Sequence, residues 1–347
     1  GLVAAQATPL GGDSTINTGS TSGQAPAIAG IDGGFVATWT SFGQDNGISG
    51  GVYAQRFNAD GTPVGGEVLV NTYTAGDQQY SAVVAIDGGY AITWQSVGND
   101  GSGWGIFVRR YASDGTPLDD AEIQVNTTTA FHQSNPEITA IDGGFVVVWK
   151  SDPTNTGDDV FSRVFAADGT AVTGEIQANT HTSGDHLYPS VASFDSGYVV
   201  TWVSAGQDGS GYGVISRRFG NDGTPLGNEV QVNTTTTFAQ VWPQAAGIEG
   251  GYVITWASHD SDGDLYGVYA QRYADDGTRL GEETLVNTVT DGNQTHPSVA
   301  ATADGYIISW TSAGQDGDGS GIYAQRFASD GTRIGGEFRV NATTAGS

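Results

Sequence analysis

The 347-residue chain has no cysteine and no methionine, which rules out disulfide frameworks, thiol chemistry and sulfur-ligated metal centres. Without methionine there is no initiator residue, so the chain is expected to be a mature or excised segment. Positive charge is scarce too. Twelve basic residues against 38 acidic ones give a formal net charge of −26, which repels nucleic acid and anionic membranes and attracts cations. No nucleic-acid partner is expected. Nor is membrane insertion, because no apolar run approaches the roughly 18 residues of a membrane span. A helical hydrophobic period is also missing. The chain instead holds 54 glycines and short apolar runs, the pattern of many strands joined by tight turns. An acidic chain that needs no redox control fits an extracellular or cell-surface setting.

Tryptophan sets the register. Trp39, Trp94, Trp149, Trp202, Trp256 and Trp310 recur at steps of 55, 55, 53, 54 and 54 residues, so the chain is six internal repeats. In the second repeat four strand-like runs fall at 81–86, 90–96, 105–111 and 122–127. An Asp87-Gly88-Gly89 turn joins the first two, and Ser113-Asp114-Gly115-Thr116-Pro117 joins the last two. Four antiparallel strands per repeat predict an all-β fold, a six-bladed β-propeller of four-stranded antiparallel blades closed by a terminal strand. A sandwich or a β-helix is the alternative, and the hairpins argue against the parallel strands a β-helix requires. The expectation is a single domain over 1–347. Its N-terminal closing strand and crossing are placed at 1–24 and its blades near 25–72, 79–127, 134–180, 187–234, 241–288 and 295–342.

Most recurring residues read as makers of the fold. Tyr90, Ile92 and Trp94 alternate along one strand and so share one face, the pattern of packing between blades. Arg56, Arg110, Arg218, Arg272 and Arg326 on strand three, with Val164 in the third repeat, stand near Glu67, Glu122, Glu175, Glu229, Glu283 and Glu337 on strand four. Such a pattern predicts cross-strand ion pairs. Asn71, Asn126, Asn233 and Asn287 close the fourth strand and read as residues whose side chains satisfy the backbone at the blade crossing. The segment from Thr8 to Thr18 matches that from Thr62 to Thr72, a seventh copy of strand four for six blades. Only one terminal copy is needed for the last blade, and a surplus strand is a route to a homo-oligomer or filament.

Binding residues are expected where the repeats vary, in the loop after each Trp and in the crossings. Tyr80, Trp104, Tyr188, Tyr212, Trp242 and His296, with the amides Gln240 and Gln294, offer rings for the apolar faces of sugars and polar groups for their hydroxyls. Capping of the core between blades is the competing account. Asp260, Asp262 and Asp264 alternate around a glycine as calcium ligands do, with Asp316 and Asp318 a weaker copy. The distal glutamate of an EF-hand is missing, and Asp/Gly turn chemistry explains the same residues. Catalysis has little support in the sequence. His132, His181, His186, His259 and His296 are scattered, and no H-E-x-x-H, G-x-S-x-G or phosphate-binding signature is present. Only the third repeat departs from the others, with 152–159 in place of the Gly-Ser-Gly loop.

The run Trp310-Thr311-Ser312-Ala313-Gly314-Gln315-Asp316-Gly317 through Tyr323-Ala324-Gln325-Arg326-Phe327 has copies ending at Phe57 and Tyr273. It resembles the W-x-S-x-G-x-D-G-S-G-x-G-I-Y-A-Q-R-F repeats of large secreted RTX and adhesin-type proteins of Gram-negative bacteria. The resemblance implies a secreted location and a repeat architecture. The G-G-x-G-x-D nonapeptides are absent, so no calcium site carries over. The loops also resemble the Asp-box turns of sialidase propellers, but that spacing is not kept and no sialidase is inferred. The expected function is therefore a non-enzymatic extracellular module that binds a glycan or cell-surface polymer, with Ca2+ as a stabiliser. A self-assembling filament or matrix subunit is the alternative and a polysaccharide-active enzyme the third option.

Overall fold

A computed structural model of the protein describes residues 13–18, 23–44, 49–152 and 157–344. Most of the N-terminal closing strand expected at 1–24 lies outside the described residues. Those residues form strands and no helix, arranged in six four-stranded antiparallel sheets, each a meander of consecutive strands. The fold class is the one the repeat predicts, an all-β six-bladed β-propeller. The chain forms two compact units. Sheets one to three lie in one, made of the described residues of 15–182 with 220–224. Sheets four to six lie in the other, made of the described residues of 1–14, 183–219 and 225–347.

The second sheet shows the plan. Gln78–Ile86 turns at Asp87-Gly88 into Gly89–Val97, a longer loop leads to Trp104–Ala112, and the short strand Ile123–Gln124 completes it. The sixth sheet is completed by its own C-terminal strand, Arg333–Arg339. All six repeat tryptophans are buried to 2 % exposure or less. Tyr90, Ile92 and Trp94 pack with Val36, Val52 and Val70 of the first sheet, so the alternating trio does face the neighbouring blade. An aromatic pair stands across the second and third strands of all six sheets: Phe35 on Phe57 at 4.9 Å, Tyr90 on Tyr111 at 5.2 Å, and Tyr306 on Phe327 at 5.0 Å are nearly parallel. In sheets two to six an arginine lies over the third-strand ring, Arg109 from the third strand in sheet two and Arg333 from the fourth strand in sheet six.

Most of the arginines and glutamates expected to pair with each other across the hairpin bind backbone in neighbouring sheets instead, while Arg326 pairs with Asp304 of its own sheet and Arg110 pairs in addition with Asp119, each at 2.5 Å. Arg56 Nη1 donates to the Ser113 carbonyl at 2.9 Å, Arg110 to Ala167 at 2.6 Å, Arg218 to Asp275 at 2.8 Å and Arg272 to Ser329 at 2.7 Å, each acceptor 57 residues further on. These acceptors lie in the Asp-Gly turn of the next blade. Gly115, at φ +87°, is required there for both its conformation and the room it leaves, because a Cβ would strike the Arg56 guanidinium. In the third repeat Val164 and Ile176 meet Gly223 with apolar contact.

The glutamates point the other way. Glu122 accepts hydrogen bonds from Thr72 and Tyr73 in the preceding crossing, Glu175 from Thr127 and Thr128, Glu283 from Thr234 and Glu337 from Thr288. Asp13, at the matching place in the N-terminal copy, accepts from the amides of Ala342 and Thr343. A half-buried carboxylate held by two or three charge-assisted bonds from amides and hydroxyls gains more than from one mobile guanidinium, which is why backbone wins.

Asparagine ties the strands within a blade to the next crossing. Asn126 Oδ1 accepts the Ile106 amide at 2.7 Å, while Nδ2 donates to the Thr128 carbonyl, to Asp100 and to Gln133 of the following sheet. The same net recurs at Asn71, Asn233 and Asn287.

Candidate functional site

Each first strand carries one residue in the left-handed region: Ala25, Tyr80, Asn135, Tyr188, Trp242 and His296, with φ between 48° and 54°. They sit at a β-bulge, where pairing with the second strand slips between, for example, Gln79 and Ala82 or Val241 and Gln244. The extra residue tips its side chain out of the ladder. Five of the six precede proline. A left-handed bulky residue costs about 1–2 kcal/mol, and strain of this kind gathers where a chain presents side chains for use. Tyr80 and Tyr188 are exposed, at 48 % and 44 %.

A second left-handed position lies in the crossings. Gly76, Gly184 and Gly292 fill it in three repeats, but Phe131 and Phe238, both at φ 64°, fill it in the other two. Both phenylalanines are exposed, at 46 % and 56 %. Phenylalanine in a place built for glycine is a strained way to display a ring.

Beside Phe131, a cleft of about 350 Å³ is lined by Tyr80, Gln95, Trp104, His132, Ser134, Asn135, Lys150, Asp152 and Asp158, on sheets two and three and the connections that border the third. Lys150 is the only lysine in the chain. It stands one position after the core Trp149 and forms an ion pair with Asp158, Nζ to Oδ2 2.7 Å, with both side chains about one-fifth exposed. His132 Nδ1 accepts the Trp104 amide at 3.3 Å, a tautomer that leaves Nε2 as the donor. The Asn135 amide is held by Gln95 Oε1 at 3.0 Å, which fixes the bulge against the floor of the cleft. Two carboxyl groups, an ammonium and an imidazole thus share one concave site with two aromatic walls.

The other unit carries the repeat-equivalent place on sheets four to six. Trp242 stacks on His296 at 4.2 Å and lies 5.6 Å from Tyr266. Tyr266 in turn meets His259 edge-on at 4.8 Å, and Phe238 lies 5.4 Å from His259. His259 Nδ1 is 3.5 Å from Asp260 Oδ2.

Of the residues singled out from the sequence, Tyr80 and Trp104 line the cleft, and Trp242 and His296 form a stacked pair. Tyr188 is exposed and Tyr212 half-buried on sheet four. Gln240 and Gln294 are fully buried. Their Oε1 atoms accept from Asn233 and Asn287, and their Nε2 atoms donate to the Thr237 and Asp291 carbonyls, so they serve the frame. The acidic run is divided among separate partners. Asp260 is beside His259, Asp262 accepts from Asn287 and Asp264 accepts the Gly292 amide. Asp316 accepts the Asp318 amide within its own turn. Among the described residues no three His, Asp or Glu side chains gather as metal ligands. Lys150, Phe131 and Phe238 are not among the residues singled out from the sequence, although the solitary lysine is a visible signal, and Asp152 and Asp158 stand there only as part of the irregular third repeat.

No family model matches the sequence, and no curated protein matches it. Solved structures do share its fold. The GH93 α-L-arabinofuranosidase of Fusarium graminearum, in complex with arabinobiose, aligns with a TM-score of 0.58 at 13 % identity, covering 84 % of this chain and 88 % of that one. A mutant of Trypanosoma rangeli sialidase displaying trans-sialidase activity aligns with a TM-score of 0.50 at 13 % identity, over 91 % of this chain and 54 % of that one. A thermostable family-43 glycoside hydrolase has a TM-score of 0.46 at 12 % identity, over 78 % and 96 %. At such identities the likeness is one of fold.

The arabinofuranosidase and the sialidase mutant are carbohydrate-acting enzymes by name, and that finding overturns the expectation of a non-enzymatic module that binds glycan or assembles through a surplus strand. The error has a physical source. A propeller gathers its working groups from loops of different repeats, so no contiguous motif announces them.

Proposed function

We propose that the protein is a carbohydrate-active enzyme that cleaves glycosidic bonds in a neutral polysaccharide, with the cleft on sheets two and three as its active site. The observation that carries this reading is the pair of carboxyl groups, Asp152 and Asp158, lining one cleft with Lys150, His132 and the rings of Tyr80 and Trp104. Glycosidic cleavage takes one carboxyl group to protonate the leaving oxygen and a second to capture the cationic sugar or activate water. The ring faces of Tyr80 and Trp104 suit the C–H faces of a sugar, and the ammonium and imidazole offer donors to its hydroxyls. Lys150 also orients Asp158, so that this carboxylate is fixed before substrate arrives. A volume near 350 Å³ matches small-ligand sites, which run from about 300 Å³ upward. The formal charge of −26 disfavours polyanionic chains and leaves neutral ones. A polymer of that kind is met outside the cell, in keeping with a secreted enzyme.

Release of reducing ends from linear arabinan and from a panel of other neutral polysaccharides tests the proposal. Asp152→Asn and Asp158→Asn are each expected to lower turnover by about 100-fold or more. No release from any polymer, or full turnover in the double variant, would sink it.

A further inference from the structure

The cleft has a counterpart in the other unit, and comparing the two position by position gives the second a different task. Trp104 corresponds to Tyr212, Phe131 to Phe238 and Asn135 to Trp242. Lys150 corresponds to Ala257, Asp152 to His259 and Asp158 to Tyr266. The aromatic frame is kept and extended, while the lysine and both carboxyl groups are gone. Where Lys150 and Asp158 form an ion pair in one unit, the other has a methyl group and a phenol ring.

We infer that this second place, centred on Trp242, Tyr266 and His296 with Phe238 at its margin, is a non-catalytic platform that holds sugar residues of the polysaccharide, resting on the glycan-directed reading above. Four ring contacts run in unbroken succession from Phe238 through His259, Tyr266 and Trp242 to His296, across the fifth and sixth sheets. Three of these residues, Phe238, Trp242 and His296, sit in left-handed backbone that other repeats give to glycine or to smaller side chains such as Ala25. A core-capping role would not require an exposed ring at the strained position, and Phe238 is 56 % exposed. The occupant that fits this cluster of rings, tilted or edge-on to one another except for the stacked Trp242 and His296 and bordered by Asp260, is a chain of neutral sugars, whose C–H faces pack on the ring surfaces left open while their hydroxyls reach the polar rim. Lacking a carboxyl pair, the platform grips the polymer without cutting it.

The test is retardation of the full chain in native gels containing linear arabinan, xylan or β-glucan, run in an Asp158→Asn background that silences hydrolysis. Trp242→Ala is expected to weaken retardation about tenfold, the worth of one stacked ring. Phe238→Gly should weaken it as well while leaving the fold intact, since glycine is what three other repeats place there. In the otherwise wild-type protein both variants should keep their rate on short oligosaccharides and lose rate on polymer. Undiminished retardation in folded Trp242→Ala and Phe238→Gly, or no retardation of the parent by any of these polymers, overturns the inference. Retardation lost on Trp242→Ala in a protein that releases no sugar would leave the platform standing and remove the active site. Cleavage with unaltered retardation in both variants would do the reverse.

Discussion

Burial pushes the carboxyl of Glu137 up to about 7, because the charged form is cut off from water. In the unfolded chain the same group ionises near its ordinary value of 4.5, so the native state holds its proton over a range in which the unfolded state has lost it. Stability is therefore greatest below that ordinary value, falls as pH rises towards about 7, and carries a constant penalty above it. Glu137→Gln should remove the penalty. Denaturant melts are expected to show the variant more stable than the parent by about 2–3 kcal/mol at pH 8 and nearly equal at pH 4.5. A pH-independent difference would refute this. Glu122 behaves in the opposite way. Burial alone would raise it, but the Thr72 hydroxyl and the amides of Thr72 and Tyr73 together outweigh that and hold it below its ordinary value. The alternating Tyr90, Ile92 and Trp94 were legible as core from spacing alone, because strand periodicity is local. The partners of Glu122 were not, because they lie 49 and 50 residues away.

At the scale of the element, each blade is a meander that cannot bury both faces by itself, and the joints between blades rest on a few polar residues. Asn126 is one of them, buried and bonded to three successive parts of the chain: Ile106 on the third strand, Thr128 in the crossing and Gln133 at the start of the next sheet. Asn126→Ala leaves the Ile106 amide and Gln133 Oε1 buried without that partner, and thermal or urea melts are expected to show a loss of about 2–4 kcal/mol. A loss below about 0.5 kcal/mol would mean that the net is redundant. The bulge in each first strand is an element-scale device as well. It was invisible in the sequence beyond the recurring residue before proline, since pairing slippage depends on both strands.

For the molecule as a whole, a net charge of −26 on 347 residues is a standing electrostatic strain, because like charges crowd closer in the folded state than in the unfolded one. Added sodium chloride screens that repulsion, so the melting temperature should rise between 10 mM and 300 mM salt. A fall over that range would mean that the bonds of Arg56, Arg110 and their counterparts dominate instead. The sequence by itself determined the repeat, the strand count, the core tryptophans and the fold class, because hydrophobic alternation, turn chemistry and spacing are local and are written six times over. Tertiary structure alone decided which exceptions matter. Lys150, His132 and Asp158 come from a strand, a crossing and a loop, and Tyr80 and Trp104 from the neighbouring sheet; only folding brings them into one cleft. The same holds for the rings of Phe238, Tyr266, Trp242 and His296. Chemistry here depends on departures from the repeat that meet across sheets, and a pattern read along one dimension does not record which departures meet.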